Sequence, residues 1–294
     1  MRYSTIAVIY NPNSTGSGEK LARQFEAKVR EQLPKQKIEL VQTEHAGHGE
    51  ELSYEIAKAS KHPLIVSSSG DGGYHDVVNG AMRATREGFA PTTSLLPAGN
   101  ANDHYTNLHT TDLVEQIVSG EPGRIDVLKI TSKVEGRKFR RYAHSYIGFG
   151  LTPFVGDALN KEKLNPVKEV FVVARALLTI KPVRLKIGRK PRAYESVIFS
   201  NIDVMSKYLK ISQPSSVTDG KFEVTIFTRR NKLRLILLLL DTSLRGVKED
   251  TQVRKFSLKT VNETLVQADG EIFTLDAKTR TIISVEKQAL QTII

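Results

Sequence analysis

The segment Ser-Gly-Asp-Gly-Gly at positions 69–73 has the composition of a loop that binds an anion. Glycines let a backbone approach a bulky anion without Cβ clashes, and the acid, Asp71, is expected to meet phosphates through a metal ion or a proton. The apolar run Leu64–Val66 precedes the segment, and Val77 and Ala81 follow it at helical spacing, so the pattern predicts a strand, a glycine turn and a helix. The helix would offer unpaired N–H groups and the positive end of its dipole to a phosphate. An ordinary strand-to-helix turn is the alternative.

Three more polar loops follow predicted strands, at residues 11–18, 43–49 and 99–103. Repeated strand–loop–helix units predict a parallel sheet whose loops meet at the carboxyl edge of its strands. Amides, hydroxyls and carboxylates that converge there suit a nucleotide and its phosphates. His45 and His48 in the second of these loops can line the same site, whereas a catalytic zinc ion is not expected.

The first half of the chain alternates between strand and helix patterns. Predicted strands cover Thr5–Tyr10, Ile38–Gln42, Leu64–Val66 and Thr93–Leu96. Predicted helices carry Phe25, Ile56 and Val78, and a short one covers Leu113–Val118.

After Asp126 the pattern changes to strands separated by turn residues, which predicts a mostly antiparallel second domain. The predicted strands are Val127–Thr131, Tyr142–Ile147, Val183–Ile187, Tyr194–Ser200, Phe222–Phe227, Lys255–Thr260, Leu265–Ala268 and Ile282–Val285, with helices near Lys168–Thr179 and Leu233–Leu244. The predicted fold class is α/β plus mostly β. Residues 1–126 form a parallel α/β nucleotide-binding domain, and residues 127–285 form an antiparallel, sandwich-like β-rich domain.

The net charge of +11 is unevenly distributed. Acidic residues outnumber basic ones by 4 in residues 1–126, whereas basic residues outnumber acidic ones by 15 in residues 127–294. Basic runs occur at Arg137–Arg141 and between Lys181 and Arg192. This asymmetry favours an anionic partner for the second half, a membrane surface or nucleic acid, over a merely solvated basic surface.

Composition also bounds the cellular setting. The chain has 0 cysteines, which excludes disulfides and thiolate metal sites and fits a reducing compartment. The N-terminal segment is typical of a first strand rather than a signal peptide. The longest apolar run, Leu235–Leu240, is far shorter than the roughly 20 residues that span a bilayer. We therefore expect a cytoplasmic protein that is free to associate peripherally with a membrane.

Taken in order, the motifs resemble the diacylglycerol kinase catalytic-domain family, which includes bacterial lipid kinases and sphingosine and ceramide kinases. Asn11-Pro12-Asn13-Ser14 resembles the family's Asn-Pro loop. Residues 69–73, followed by Asn79-Gly80, resemble its Gly-Gly-Asp-Gly-Thr signature, and residues 99–103 resemble its Gly-Thr-x-Asn-Asp loop. Asp219-Gly220 and Asp269-Gly270-Glu271 resemble two later elements, so the resemblance spans nearly the whole chain.

The chain also departs from the family pattern. Ser69 replaces the first glycine of the signature, Gly73 its threonine, and His75-Asp76 the following Asn-Glu pair; Asn100 replaces the threonine of the later loop. Two hydroxyls expected near phosphate are therefore missing. One alternative is a family member with weakened catalysis that binds lipid or nucleic acid. Another is a soluble enzyme similar to the nicotinamide-dinucleotide kinases, which share the Gly-Gly-Asp-Gly element.

The resemblance implies an ATP- and Mg²⁺-dependent lipid kinase that phosphorylates a hydroxyl such as that of diacylglycerol. It implies Glu271 as the general base and places Asp71 at the phosphates, with Asp71 as the rival base. It implies a Mg²⁺ site at Ser216, Asp219 and Lys221, for which a plain turn is the alternative. The nucleotide-binding residues that it implies are Asn11, Pro12, Asn13, Ser14, Thr15, Thr43, Ser69, Gly70, Asp71, Gly72, Gly73, Asp76, Gly99, Asn100, Asn102 and Asp103.

The resemblance extends to partners and to the end of the chain. The implied acceptor is a lipid at an anionic membrane surface, to which the protein binds peripherally. A nucleic acid partner is not expected, and a homodimer is an open option. Residues 286–294 are expected to pack back on the first domain, as the family's tail does.

Overall fold

The computed structural model describes residues 3–13, 17–99, 102–108, 112–119, 121–153, 181–205, 209–210, 216–228 and 251–294. The chain forms two compact units, Met1–Asp126 with Lys287–Ile294, and Val127–Glu286. The helices predicted near Lys168–Thr179 and Leu233–Leu244 lie outside the described residues, and so do Ser14, Thr15 and Asn100.

The first unit alternates between strands and helices. Its elements are β1 (Thr5–Tyr10), α1 (Gly18–Gln32), β2 (Ile38–Gln42), α2 (His48–Ala59), β3 (Pro63–Ser69), α3 (Asp71–Arg86), β4 (Thr92–Pro97), α4 (Asp103–Leu108) and α5 (Leu113–Ser119). The strands pair in parallel in the order β2-β1-β3-β4. The parallel sheet predicted from the sequence is confirmed.

Burial explains why these segments form a sheet covered by helices. All six residues of β1 are buried, as expected for a strand covered on both faces. Helix α1 buries the apolar stripe Ala22, Phe25 and Val29 against Ile6 and Val8. The sheet therefore holds the carboxyl ends of its strands, and the loops that follow them, in fixed positions.

Helices α2 and α3 pack closely at Gly80. A Cβ atom at this position would overlap the carbonyl oxygen of Glu50 and lie 2.7 Å from Cβ of Ser53. The Ser53 hydroxyl donates to the carbonyl of Val77 at 2.8 Å, which fixes the two helices in register. This contact explains in structural terms the glycine of the Asn79-Gly80 pair.

The second unit is built from antiparallel strands. They are β5 (Gly123–Val134), β6 (Arg137–Ala143), β7 (Tyr146–Gly150), β8 (Val183–Lys186), β9 (Pro191–Ser200), β10 (Val204–Met205), β11 (Leu209–Lys210), β12 (Phe222–Thr228), β13 (Thr251–Val253), β14 (Lys255–Thr260), β15 (Thr264–Ala268), β16 (Glu271–Leu275) and β17 (Arg280–Thr292). The first residues of β5 and the last residues of β17 belong to the first unit, where Thr292 of β17 pairs in parallel with Thr93 of β4.

The strand order of the second unit is β16-β15-β7-β9-β8-β14-β17, with β5 beside β17 and β6 beside β5. Strand β12 pairs with β9 and β13, and β10 pairs with β11. The buried core includes Leu128, Phe149, Phe199, Leu258 and Ile283. The predicted combination of a parallel first half with an antiparallel second half is confirmed.

One predicted strand, Tyr142–Ile147, is wrong. The chain leaves the strand conformation at His144 and Ser145, so the segment is divided between β6 and β7. The backbone N–H groups at the break donate to the carboxylate of Asp269 instead of to a neighbouring strand.

Among the described residues, no helix is long and apolar enough to cross a membrane.

We predict that Gly80→Ala lowers the free energy of unfolding by about 1–3 kcal/mol, because the added methyl overpacks the contact between α2 and α3. Helix propensity alone would favour alanine by about 1 kcal/mol, so the sign of the change reports on packing. Urea denaturation measures the effect. Glu55→Ala on the exposed face of α2 is the control, with a change within about 0.5 kcal/mol. A stabilised Gly80→Ala variant would contradict the close helix contact.

Candidate functional site

Two of the predicted loops touch each other at the carboxyl edge of the first unit's sheet. They follow the adjacent parallel strands β3 and β4, and they meet at Gly70 and Gly99. A Cβ atom at Gly70 would lie 3.0 Å from Cα of Gly99, and a Cβ at Gly99 would overlap Cα of Gly70. The N–H of Ala98 also donates to the carbonyl of Ser69 at 2.9 Å. Both glycines are therefore required by the contact between the loops.

Asp71 joins the same two loops through its side chain. It is the first residue of α3, and its carboxylate oxygens accept the backbone N–H groups of Asp103 and His104 at 3.0 and 3.1 Å. These groups begin α4, so the acid of the first loop caps the helix that follows the second. Sequence reasoning placed Asp71 at the phosphates, and the structure gives it a further, positioning role.

Asn102 closes the second loop on itself. Its side-chain oxygen accepts the N–H of Gly99 and its amide donates to the carbonyl of Gly99, both at 2.9 Å. Its backbone has a φ of 53°, a left-handed conformation that asparagine tolerates better than most residues. Asn102 thus shapes the loop with both of its polar atoms.

The departures at positions 69 and 73 fit each other. A Cβ atom at Gly73 would lie 2.6 Å from both Cβ and Oγ of Ser69. The Ser69 hydroxyl interacts with the Ser67 hydroxyl at 2.7 Å and donates to the carbonyl of Gly70 at 2.9 Å. The chain therefore keeps one hydroxyl in this turn. It belongs to Ser69, the first residue of the segment, whereas the family pattern has its hydroxyl at the position of Gly73, the last residue.

The N-terminus of α3 is suited to an anion. Its N-cap residue, Gly70, has no side chain to cap the first turn, and Gly73 in that turn is exposed. Helix N-termini of this kind bind phosphate through their N–H groups and dipole. The donors present here therefore fit a nucleotide phosphate.

The loops after β1 and β2 end at the same edge. Asn11 accepts the N–H of Asn13 at 2.8 Å, which forms a local turn, and these two residues and Pro12 are exposed. The N–H of Thr43 donates to the carbonyl of Tyr10 at 2.8 Å, which holds the ends of β1 and β2 together.

Two other contacts tie the helices to this edge. The Ser68 hydroxyl donates to the carbonyl of Gly18 at 2.7 Å, which joins the end of β3 to the start of α1. Asp76 on α3 packs against Gly49 at the start of α2, where an added Cβ would lie 3.0 Å from Cβ of Asp76. All four predicted loops thus follow strands that end at one edge of the sheet.

His45, His48 and Glu51 form a small cluster at the second loop, with ligand-type atoms within 4.8 Å of one another. The two imidazole rings stack with their centroids 4.6 Å apart. Nδ1 of His48 accepts the N–H of Glu44 at 3.0 Å, so the proton of the neutral ring lies on Nε2. This hydrogen bond disfavours a metal ion on His48. The lone pair of Nδ1 accepts the hydrogen bond and Nε2 carries the proton, so neither nitrogen has a lone pair to give to a metal.

In the second unit, Asp269 and Gly270 form a tight hairpin turn between β15 and β16. Both have positive φ, 48° and 103°, as in the type I′ turns that favour Asp-Gly. The Asp269 carboxylate is fully buried and accepts three backbone N–H groups, those of His144, Ser145 and Tyr146, at 2.7–3.0 Å. Sequence reasoning missed this role of Asp269, for which the Asp-Gly pair itself is the signal.

Glu271 follows this turn as the first residue of β16 and is exposed. Its pairing with Ala268 across the turn fixes its backbone. A solvated carboxylate on a rigid hairpin can accept a proton from an alcohol that is brought to it.

Asp219 lies in a local turn, where its Oδ1 accepts the N–H of Lys221 at 2.8 Å. The Ser216 hydroxyl interacts with that of Thr218 at 3.0 Å. These contacts account for the plain turn, and the oxygen donors of the segment also suit a hard cation such as Mg²⁺. The metal site stays a prediction.

A known domain family matches the part of the chain that contains most of the first unit. Residues 5–130 match the diacylglycerol kinase catalytic domain, which confirms the resemblance inferred from the motifs. No curated protein matches the chain significantly.

Solved structures of kinases share the fold, and two of them serve as examples. A diacylglycerol kinase from Bacillus anthracis str. Sterne aligns with a TM-score of 0.71 at 15% identity, over 100% of this chain and 97% of that chain. The yeast NADH kinase complexed with NADH aligns with a TM-score of 0.52 at 9% identity, over 99% of this chain and 82% of that chain. At these identities the likeness establishes the fold, and with the domain match it supports a kinase, that is, a phosphotransferase.

We predict that Asp269→Asn destabilises the protein by about 3 kcal/mol, because the amide places an N–H₂ group among backbone donors and leaves buried groups unsatisfied. Glu271→Gln, two residues away and exposed, should change stability by less than about 0.5 kcal/mol. Urea denaturation of both variants measures the difference. Equal stabilities would show that the Asp269 hydrogen bonds do not hold the break between β6 and β7.

Proposed function

We propose that the protein is an ATP-dependent lipid kinase that phosphorylates a hydroxyl group of a diacylglycerol-like acceptor. The observation that carries this proposal is the contact of the Gly70 and Gly99 loops, held together by Asp71, within the segment that matches the diacylglycerol kinase catalytic domain. A kinase needs such a rigid loop pair because phosphoryl transfer depends on positioning and on electrostatic stabilisation of the phosphates.

The first unit is assigned to the nucleotide. The N–H groups at the start of α3 bind phosphate. The exposed polar groups of Asn11 and Asn13 and the half-buried hydroxyl of Thr43 line the rest of the edge. Asp71 keeps the two loops in register at the N-terminus of α3, where the phosphates are proposed to bind. Mg²⁺, when bound with ATP, would neutralise phosphate charge there. The carboxylate of Asp71 is its proposed ligand, and Asp76 is proposed to line the nucleotide site.

The second unit is assigned to the acceptor. Glu271 takes the proton of the lipid hydroxyl as the hydroxyl oxygen attacks the γ-phosphorus of ATP. The bond between the γ-phosphorus and the β-phosphate oxygen breaks, which releases ADP. The buried Asp269 supports this role by fixing the hairpin on which Glu271 stands. Ser216, Asp219 and Lys221 are proposed to hold a structural Mg²⁺ away from the chemistry.

The second candidate is a soluble kinase that phosphorylates a nicotinamide dinucleotide. The fold shared with the yeast NADH kinase favours it, at the lower TM-score of 0.52. Incubation of the purified chain with γ-labelled ATP and, in separate reactions, a lipid panel or NADH distinguishes the two. Label in a chloroform-soluble product supports the lipid kinase, and label in NADPH overturns it.

We predict that Asp71→Asn lowers phosphoryl transfer about 10²-fold or more, because it removes a loop-positioning charge and small misplacements cost this much. The fold should persist, with a loss of about 1–2 kcal/mol from the weakened hydrogen bonds. Steady-state kinetics and ATP affinity measure the effect, and ATP affinity should fall. Glu31→Gln, an exposed carboxylate on α1, is the matched control. Normal turnover of Asp71→Asn would remove Asp71 from the site.

We predict that Glu271→Gln lowers the rate with lipid acceptor by ~10²–10⁴-fold, the usual contribution of a general base. ATP affinity should stay unchanged, which separates this residue from Asp71. Glu263→Gln, exposed in the same unit, is the control. Full turnover of Glu271→Gln would leave the Asp-Gly-Glu segment as a turn and pass the role of base to Asp71.

A further inference from the structure

Basic side chains stand in a row across five neighbouring strands of the second unit. The residues are Lys138 on β6, Lys133 on β5, Arg280 on β17, Lys259 on β14 and Lys186 on β8. We call this set the cation row.

Strand register places these residues side by side. Lys133 pairs directly with Lys138, and Lys259 pairs with both Arg280 and Lys186. The link between β5 and β17 comes from the hydroxyls of Ser132 and Thr281, which interact at 2.8 Å. Their chain neighbours, Lys133 and Arg280, are therefore adjacent on the other face. With neighbouring strands about 4.8 Å apart, the row is about 19 Å long.

The cation row faces solvent. Side chains alternate between the faces of a strand, and the residues that flank the row on these strands, Ser132, Leu258, Thr281 and Leu185, are buried on the other face. All five members of the cation row are exposed. Among the described residues, none of the five forms an ion pair with a carboxylate.

Such a row opposes folding. Like charges directly opposite each other on neighbouring strands destabilise a sheet, and here each member has a cation beside it. Arg140 and Lys129 extend the positive charge on the same face, and Lys129 forms an ion pair with Glu286. The cation row lowers the stability of the free protein, and an extended anionic surface would relieve the repulsion between its charges. The arrangement therefore indicates a binding partner of that kind.

The structure also corrects the interpretation of the basic run at Arg137–Arg141 as one continuous basic surface. Strand alternation divides that run between the two faces of the sheet. Lys138 and Arg140 face outward, whereas the guanidinium of Arg141 lies 5.7 Å from the centre of the Phe273 ring on the other face. The docking charge therefore comes from several strands that are distant in sequence.

We propose that the cation row docks the protein on an anionic phospholipid surface. Proteins that bind single-stranded nucleic acid on a sheet stack bases on exposed aromatic rings. At the outward positions of these five strands, the aromatic ring that the structure describes, Tyr142, is buried. A straight row of cations on an exposed sheet face instead complements a layer of phosphate headgroups. This inference rests on the proposed function, because a lipid acceptor has to be reached in a membrane.

The test is co-sedimentation with vesicles of phosphatidylglycerol and phosphatidylcholine mixed in equal parts, and of phosphatidylcholine alone. The variant carries Lys133→Gln, Lys186→Gln and Lys259→Gln. The matched control carries Lys35→Gln, Lys61→Gln and Arg86→Gln, three exposed cations of the first unit. Each cation near an anionic surface contributes about 5-fold in affinity, so the variant should bind the mixed vesicles about 100-fold more weakly and the control should bind as the unchanged protein does. Binding should also weaken as salt is raised, because the Debye length shortens.

Equal binding by the variant and the unchanged protein, or binding to phosphatidylcholine alone, would overturn the docking proposal. So would preferential binding of a single-stranded or duplex oligonucleotide that the variant loses. A second assay separates the docking proposal from the proposed function. It measures phosphoryl transfer from ATP to a short-chain diacylglycerol that is dispersed without vesicles. The variant should keep that activity. If the unchanged protein docks through the row but phosphorylates no lipid, the function fails and the docking surface stands.

Discussion

The two hydrogen bonds from Asp103 and His104 to the Asp71 carboxylate are the interaction on which the candidate nucleotide site depends. The loops that they join meet at two glycines, so side-chain packing cannot hold them together. A charge-assisted hydrogen bond is the stronger kind available to polar groups, and here it spans 32 positions of sequence. The same bonds offset part of the Asp71 charge with backbone dipoles, which lowers its repulsion toward a nearby phosphate.

The second unit uses the same physical device at Asp269. A buried carboxylate is costly unless it is fully hydrogen-bonded, and Asp269 meets this condition with three backbone N–H groups that a break between strands has released. The Nε2 atom of His144 lies 3.4 Å from the same carboxylate and is fully buried. In both units, an acid next to a glycine organises backbone from a distant part of the chain, and the residue proposed for chemistry depends on that organisation.

Sequence patterns predict the regular parts of this fold well. The bounds of β1, β2 and β14 agree with the predicted strands. Strand β1 is a nearly continuous apolar run, whereas in β14 apolar and polar residues alternate, and both patterns are typical of strands. Helix α4 was not predicted, since its sequence is short and polar, and the Asp71 carboxylate that caps its first turn is 32 positions away in sequence. The break in Tyr142–Ile147 and the cation row have the same cause. Both depend on pairing between distant strands, which local periodicity does not contain.

The contact between Ser69 and Gly73 has a consequence for how this turn can change over evolutionary time. A side chain at position 73 would occupy the space of the Ser69 side chain, so the two positions are not free to vary independently. A route from this sequence to one with threonine at 73 has to pass through glycine at 69 first, and the reverse order meets a steric barrier. The order of steps is therefore fixed by geometry, because the side chain at position 69 has to be lost before position 73 can gain one.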